Sequence, residues 1–154
     1  MTTKVVTFSP TMALHEASCS LVEVGITGAP VIENGKVIGM LSQTDLLYKA
    51  AGKASIPITT AGAATMRYAA NTRKMRKALA GDCRDAMSVD VIEVSESATI
   101  QEAAALLLKH RVSRLPVVDA SKSLVGIIST TDVMQLVVSD PDGCGLSLDA
   151  LDDM

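Results

Sequence analysis

The chain has 154 residues, 48% of them apolar, a net charge of −3 and only three aromatic side chains, Phe8, Tyr48 and Tyr68. That is material for one ordinary domain or two small ones, with a core of Val, Ile, Leu, Ala and Met rather than rings. No apolar run approaches the roughly 20 residues that span a bilayer and no signal segment opens the chain, so a soluble, cytoplasmic protein is expected.

In chain order, an apolar strand beginning near Val6 leads into an amphipathic helix over Leu14 to Val24. Glu16 is placed for a capping box, but Ala13 stands where the cap should be, which weakens the helix start by on the order of 1 kcal/mol. Cys19 on this helix reads as a small core residue, with a reactive thiol as the alternative. His15 reads as a surface residue with no ligand partner. Pro30 heads the next strand, where a missing N–H does least harm, and Val37 to Leu41 forms the return strand before a helix that starts around Asp45. Gly28 to Lys36 is not a phosphate loop: its glycines, Gly28 and Gly35, are too far apart, and Val37 follows the Lys where Ser or Thr is needed.

Between Ala51 and Gly81 stand six basic residues (Lys53, Arg67, Arg73, Lys74, Arg76 and Lys77) and no acidic one. Residues 51–64 read as a mobile linker and Thr65 to Leu79 as a basic helix. That helix would suit an anionic partner such as nucleic acid, but only Tyr68 accompanies it, so a solvated helix is the preferred reading. Val89 to Val94 then reads as a strand. Thr99-x-x-Glu102 is a capping box for a helix over Ile100 to His110, with Ile100, Ala103, Ala104 and Leu107 on one face. His110 and Arg111 suit the negative end of its dipole, with a phosphate contact as the alternative. Pro116 heads another strand, Leu124 to Ile128 returns, and a helix follows Asp132. The last residues, with five aspartates after Ser139, read as an acidic tail.

The second half repeats the first. An offset of 86 places Glu16 on Glu102, Pro30 on Pro116 and Val31 on Val117; after one extra residue in the turn Asp119 to Lys122, an offset of 87 places Gly39 on Gly126, Ser42 on Ser129 and Asp45 on Asp132. Each copy has the order β-α-β-β-α, so the fold class is α/β (α+β), with the copies at 4–50 and 82–139, the linker at 51–81 and the tail at 140–154. The first copy starts without a counterpart of the Asp85-Ala86-Met87 lead-in, so its edge needs completion from the linker or a second chain. Cys19, Cys83 and Cys144 are odd in number and lack Cys-x-x-Cys spacing, which speaks against structural zinc or a secreted disulfide framework.

Thr27-Gly28-Ala29-Pro30-Val31-Ile32 with Gly39-Met40-Leu41-Ser42-Gln43-Thr44-Asp45, and Ser113-Arg114-Leu115-Pro116-Val117-Val118-Asp119 with Gly126-Ile127-Ile128-Ser129-Thr130-Thr131-Asp132, resemble a tandem pair of cystathionine beta-synthase (CBS) domains, the Bateman module. The resemblance implies two units related by a pseudo-twofold axis and packed through their small sheets, ligand clefts between the repeats, and commonly a homodimer. It also implies that Asp45 and Asp132 hold ribose hydroxyls, that Ser42, Thr44, Ser129 and Thr131 lie near phosphates, and that Thr27, Ala29, Ser113 and Leu115 border an adenine. Arg114 stands where the family often has a basic phosphate contact; Gly28 in the first copy departs from this. The competing reading of both Ser-x-x-Asp pairs is a plain helix cap.

No nucleophile stands near a plausible base and orienting acid, so catalysis is not expected. The expected function is a stand-alone regulatory module that binds AMP, ADP, ATP or S-adenosylmethionine and modulates an unidentified partner protein, such as a metabolic enzyme or redox protein. No cofactor of its own is expected, and Mg²⁺ only with the nucleotide. The alternative is an interaction or dimerisation module that binds no nucleotide.

Overall fold

A computed structural model describes residues 1–50 and 79–139. The linker at 51–64, all but the last residue of the expected basic helix, and the acidic tail lie outside the described residues. The elements run α1 (Leu14–Val24), β1 (Gly28–Glu33), β2 (Lys36–Ser42), α2 (Gln43–Ala50), a 3-10 turn at Cys83–Asp85, β3 (Val94–Ser95), α3 (Ile100–His110), β4 (Arg114–Val118), β5 (Leu124–Ser129) and α4 (Thr130–Ser139). The α/β class and both β-α-β-β-α copies are therefore present, the first strand of the first copy being reduced to a parallel bridge between Phe8 and Val31.

The described residues form two compact units whose membership interleaves: one holds Val6–Asn34, Ile38–Ala50 and Leu79–Val91, the other Met1–Val5, Gly35–Val37 and Ile92–Ser139. In the first, α1 turns Leu14, Ala17 and Leu21 inward against Phe8, Ala29, Val31, Leu41, Leu46 and Cys83. Each large aliphatic side chain so buried contributes about 1.5–3 kcal/mol. In the second, Ile100, Ala103 and Leu107 of α3 cover Val94, Leu115, Val117 and Ile128. The strand order there is β3-β4-β5; β4 pairs with β5 antiparallel, Arg114 opposite Ser129 and Val117 opposite Gly126, and β3 pairs with β4 in parallel, Val94 opposite Val117. The Phe8–Val31 bridge is the same contact one repeat earlier.

The prolines are the third residues of β1 and β4 rather than their first. They are tolerated because the ladder uses Pro30 only through its carbonyl, which accepts from the Phe8 amide at 2.9 Å. The strand expected over Val89 to Val94 is confined to Val94–Ser95. Val89 is 67% exposed, and the Val91 amide bonds back to the Val89 carbonyl at 2.9 Å, which closes a tight turn instead of a ladder.

The first copy's edge is completed within the chain. Ser88 bridges Met40 antiparallel, and Thr2 bridges Ile127 in the same way. A Cβ on Gly39 would meet the Met87 sulfur, and one on Gly126 the Met1 sulfur. Met87-Ser88, which precedes the second copy in sequence, thus finishes the first copy's β2, and Met1-Thr2 finishes the second copy's β5. At the offset of 86, Met1-Thr2 is the counterpart of Met87-Ser88.

The helix ends differ as their residues dictate. Thr99 Oγ1 accepts from the Glu102 amide and Glu102 accepts from the Thr99 amide, whereas Ala13 provides no side-chain cap. Gly25 closes α1 at φ 77°, and Arg111 closes α3 in the same left-handed conformation at φ 53°. Arg111 therefore caps through its main chain, donating to the Leu107 and Leu108 carbonyls. In the hairpins, Asn34 and Gly35 both take positive φ, and the extra residue of the second turn is held by Asp119 Oδ1, which accepts from the Ser121 and Ser123 amides at 2.8 Å each.

Candidate functional site

Each copy gathers its predicted polar residues at the start of its last helix. Helix α2 begins immediately after β2, so Ser42 is the cap and Asp45 lies in the first turn; α4 follows β5 in the same way, with Ser129 and Asp132. The Ser42 amide donates to Asp45 Oδ2 at 2.8 Å and the Asp45 amide returns to Ser42 Oγ at 3.2 Å. The second copy repeats this at 2.7 Å and 3.2 Å. Each serine hydroxyl also donates to the same carboxylate oxygen, at 2.5 and 2.6 Å. The capping reading of both Ser-x-x-Asp pairs is thus realised, and it occupies Oδ2 while leaving Oδ1 for other contacts.

The strand-entry residues are brought to the same place. The Gln43 amide donates to the Thr27 carbonyl at 2.9 Å and the Thr130 amide to the Ser113 carbonyl at 3.0 Å. Thr27 and Ser113 are thereby fixed beside the helix starts, with exposed side chains. Thr44 is half-buried and Thr131 exposed in the first helical turns. Ala29 and Leu115 turn their side chains into the cores, at 1% and 0% exposure, so only their main chains can border a ligand.

The copies differ in charge. Asp45 Oδ1 accepts from the Ser88 hydroxyl at 3.3 Å, so the segment that completes the first copy also takes up part of its carboxylate. In the second copy Arg114 lies opposite Ser129. Burial pushes its guanidinium below the usual value, and the Asp132 carboxylate pulls it back up. A half-buried cation beside a helix N-terminus is a means of holding a phosphate. Gly28 offers none, and a Cβ there would come to 3.0 Å of the Leu41 carbonyl oxygen.

Sequence reasoning missed Gln43, Thr130 and Ser88. The first two act through main-chain amides, which any residue carries, and Ser88 is visible only once the lead-in is known to serve the preceding copy. Cys19 is also corrected: it is half-buried, and its sulfur lies 3.3 Å from His15 Nδ1. The core cysteine of that unit is Cys83, whose thiol is pushed up to about 11, first by burial and then by Asp82 and Glu16.

Duplicated β-α-β-β-α copies, each with a polar cluster at a helix start, define a tandem-repeat α/β module. The profile of the CBS domain family matches residues 1–52 and 83–139, and the chain belongs to that family as a tandem CBS pair. Among its relatives, the uncharacterised protein MJ1426 of Methanocaldococcus jannaschii is 29% identical over 128 residues, 73% of this chain and 74% of that one. The chloroplastic CBS domain-containing protein CBSX1 of Arabidopsis thaliana is 33% identical over 132 residues, 82% of this chain and 56% of that one, so the chain spans little more than half of its length. In structure, the chain is similar to CBSX2 crystallised in complex with AMP, with a TM-score of 0.67, 26% identity, and coverage of 88% of this chain and 89% of that one. No helix among the described residues is long and apolar enough to cross a membrane.

Proposed function

We propose that the chain is a regulatory module that binds an adenosine-containing ligand at the second copy's helix start and modulates a partner protein in response, without catalysis. The observation that carries this reading is the placement of Arg114 beside Asp132 and Ser129, a cation and an acceptor at one helix N-terminus. In the proposed pose, Asp132 Oδ1 takes a ribose hydroxyl, Ser113 and the Leu115 main chain border the base, and Arg114 with Thr131 faces the phosphate. The AMP complex of the similar CBSX2 supports the ligand class. AMP, ADP, ATP and S-adenosylmethionine share the adenosine that this pose reads; Mg²⁺ would enter only with a nucleotide. The first copy's Asp45, Ser42, Thr44 and Thr27 form a weaker site, because Gly28 brings no cation.

Regulation needs only that the ligand prefer one arrangement of the module, since it shifts the equilibrium by its differential affinity. The test is thermal unfolding with each adenosyl compound, with and without Mg²⁺, for the wild type, Asp132→Asn and Arg114→Ala. A ligand at 100 times its Kd stabilises by about 2.7 kcal/mol. Loss of that shift in Asp132→Asn, which keeps a capping side chain, supports the reading. An equal shift in both variants, or none in the wild type, refutes it.

A second reading, an interaction or homodimerisation module, draws on Leu108 and Met134, which are 80% and 62% exposed on α3 and α4. Leu108→Glu tests it through the oligomeric mass in solution.

A further inference from the structure

The outer side of α1 carries a feature that nucleotide binding leaves unused. Leu14, Ala17, Ser18 and Leu21 are the buried residues of this helix, and His15, Cys19 and Glu23, spaced by four, form one stripe outside that set. A pocket of about 370 Å³ is lined by Ala13, His15, Glu16, Cys19, Ser20 and Glu23. Within it the Cys19 sulfur lies 3.3 Å from His15 Nδ1, close enough for the imidazole to accept the thiol hydrogen. No three metal-ligating groups gather among the described residues, so the pocket holds a thiol beside a base. A thiol becomes a nucleophile when it loses its proton, and a hydrogen-bonded base is the means of removing it.

We propose that Cys19 is a thiol–disulfide exchange site, with His15 as its base and small cationic or neutral disulfides as its substrates. The Cys19 proton passes to His15 Nδ1 and the thiolate attacks one sulfur of the disulfide. A Cys19 Sγ–S bond forms as the S–S bond breaks, and the departing thiolate takes the proton back from the imidazolium. The thiolate's lone pair makes the new bond and the old S–S pair leaves with the departing sulfur, so one half of the reagent is released as a thiol and the other stays on Cys19 as a mixed disulfide. Glu16 and Glu23 set the charge selection: two carboxylates in one pocket disfavour anionic disulfides and favour cationic ones, most strongly at low salt. The other described cysteine does not compete, because Cys83 is fully buried and its thiol is raised to about 11.

The test uses the full chain carrying Cys144→Ala, with cystamine (cationic), 4,4′-dithiodipyridine (neutral) and glutathione disulfide (anionic) at pH 7, and the modified cysteine located by mass spectrometry. The expected result is one modification at Cys19, with cystamine faster than glutathione disulfide and the gap narrowed in Glu16→Gln/Glu23→Gln. His15→Ala slows the neutral reagent by about tenfold or more, within the range of general-base contributions, and added imidazole restores part of the rate. Circular dichroism and thermal unfolding establish that His15→Ala is folded. Equal rates in wild type and His15→Ala, or a Cys19 no faster than in the urea-unfolded chain, overturn the proposal. A slow His15→Ala that imidazole does not rescue overturns the base role.

Discussion

Ser129 and Asp132 cap one another: the serine amide donates to Asp132 Oδ2 at 2.7 Å, and the aspartate amide donates to Ser129 Oγ at 3.2 Å. The proposed ribose ligand is therefore also a structural residue of α4. Asp132→Ala is expected to cost about 1 kcal/mol without any ligand, or roughly 3 °C in Tm for a chain of this size. Ser129→Ala costs a similar amount, and the double variant costs less than the sum because both remove one reciprocal cap. Urea unfolding of the three variants checks this.

The two copies begin their first helices unequally, since Thr99 caps α3 and Ala13 leaves α1 without a side-chain cap. Ala13 is already extended, at φ −62° and ψ 137°, so a hydroxyl can be added without moving the backbone. Ala13→Ser is expected to stabilise by about 1 kcal/mol, and Thr99→Ala to destabilise by about the same. Opposite shifts in urea midpoint at unchanged slope are the readout.

Arg111 holds a left-handed conformation that Gly25 holds in the first copy. A side chain in that region costs about 1–2 kcal/mol, partly offset by the greater freedom of glycine in the unfolded chain. Arg111→Gly is thus expected to raise Tm by about 3 °C and Gly25→Ala to lower it, although a Cβ at Gly25 meets nothing within 4 Å. A change of the same sign in both, measured calorimetrically, would mean that conformation does not govern these caps.

A Cβ on Gly39 would collide with the Met87 sulfur and approach the Ser88 carbonyl oxygen to 3.1 Å. Gly39→Ala is expected to cost about 1–3 kcal/mol by overpacking. Shortening the methionine in Gly39→Ala/Met87→Ala recovers part of that loss relative to additivity. Additive losses in a double-mutant cycle would mean that the segment does not press on β2.

The Cys83 thiol, raised from about 9 to about 11, contributes to alkaline unfolding. The unfolded chain loses this proton first, so the contribution is fully present below about pH 9 and falls away as pH rises to about 11. Replacement by Ala should flatten stability over that window, as followed by urea midpoints at pH 8, 9.5 and 11.

Local signals determined most of the architecture. Thr99-x-x-Glu102, the apolar spacing of both helices and the turn chemistry at Asn34-Gly35 act between residues a few positions apart, so α1 and α3 fall on the residues that the sequence predicts, Leu14–Val24 and Ile100–His110. The repeat, read as matched spacing, placed Asp45 with Ser42 and Asp132 with Ser129 for the same reason. What only the tertiary structure decided depends on distant partners. Val89 to Val91 is a competent strand sequence but finds no ladder, and strand identity requires a neighbour. Met87-Ser88 finishes β2 of the first copy and Met1-Thr2 finishes β5 of the second, an exchange that no local pattern encodes. That Cys83 is fully buried while Cys19 is only half-buried was likewise invisible, because helical spacing tells which residues share a face and not what packs against it. Composition and periodicity fix short-range geometry; which edges meet is settled by the whole chain burying its apolar surface and pairing its backbone at once.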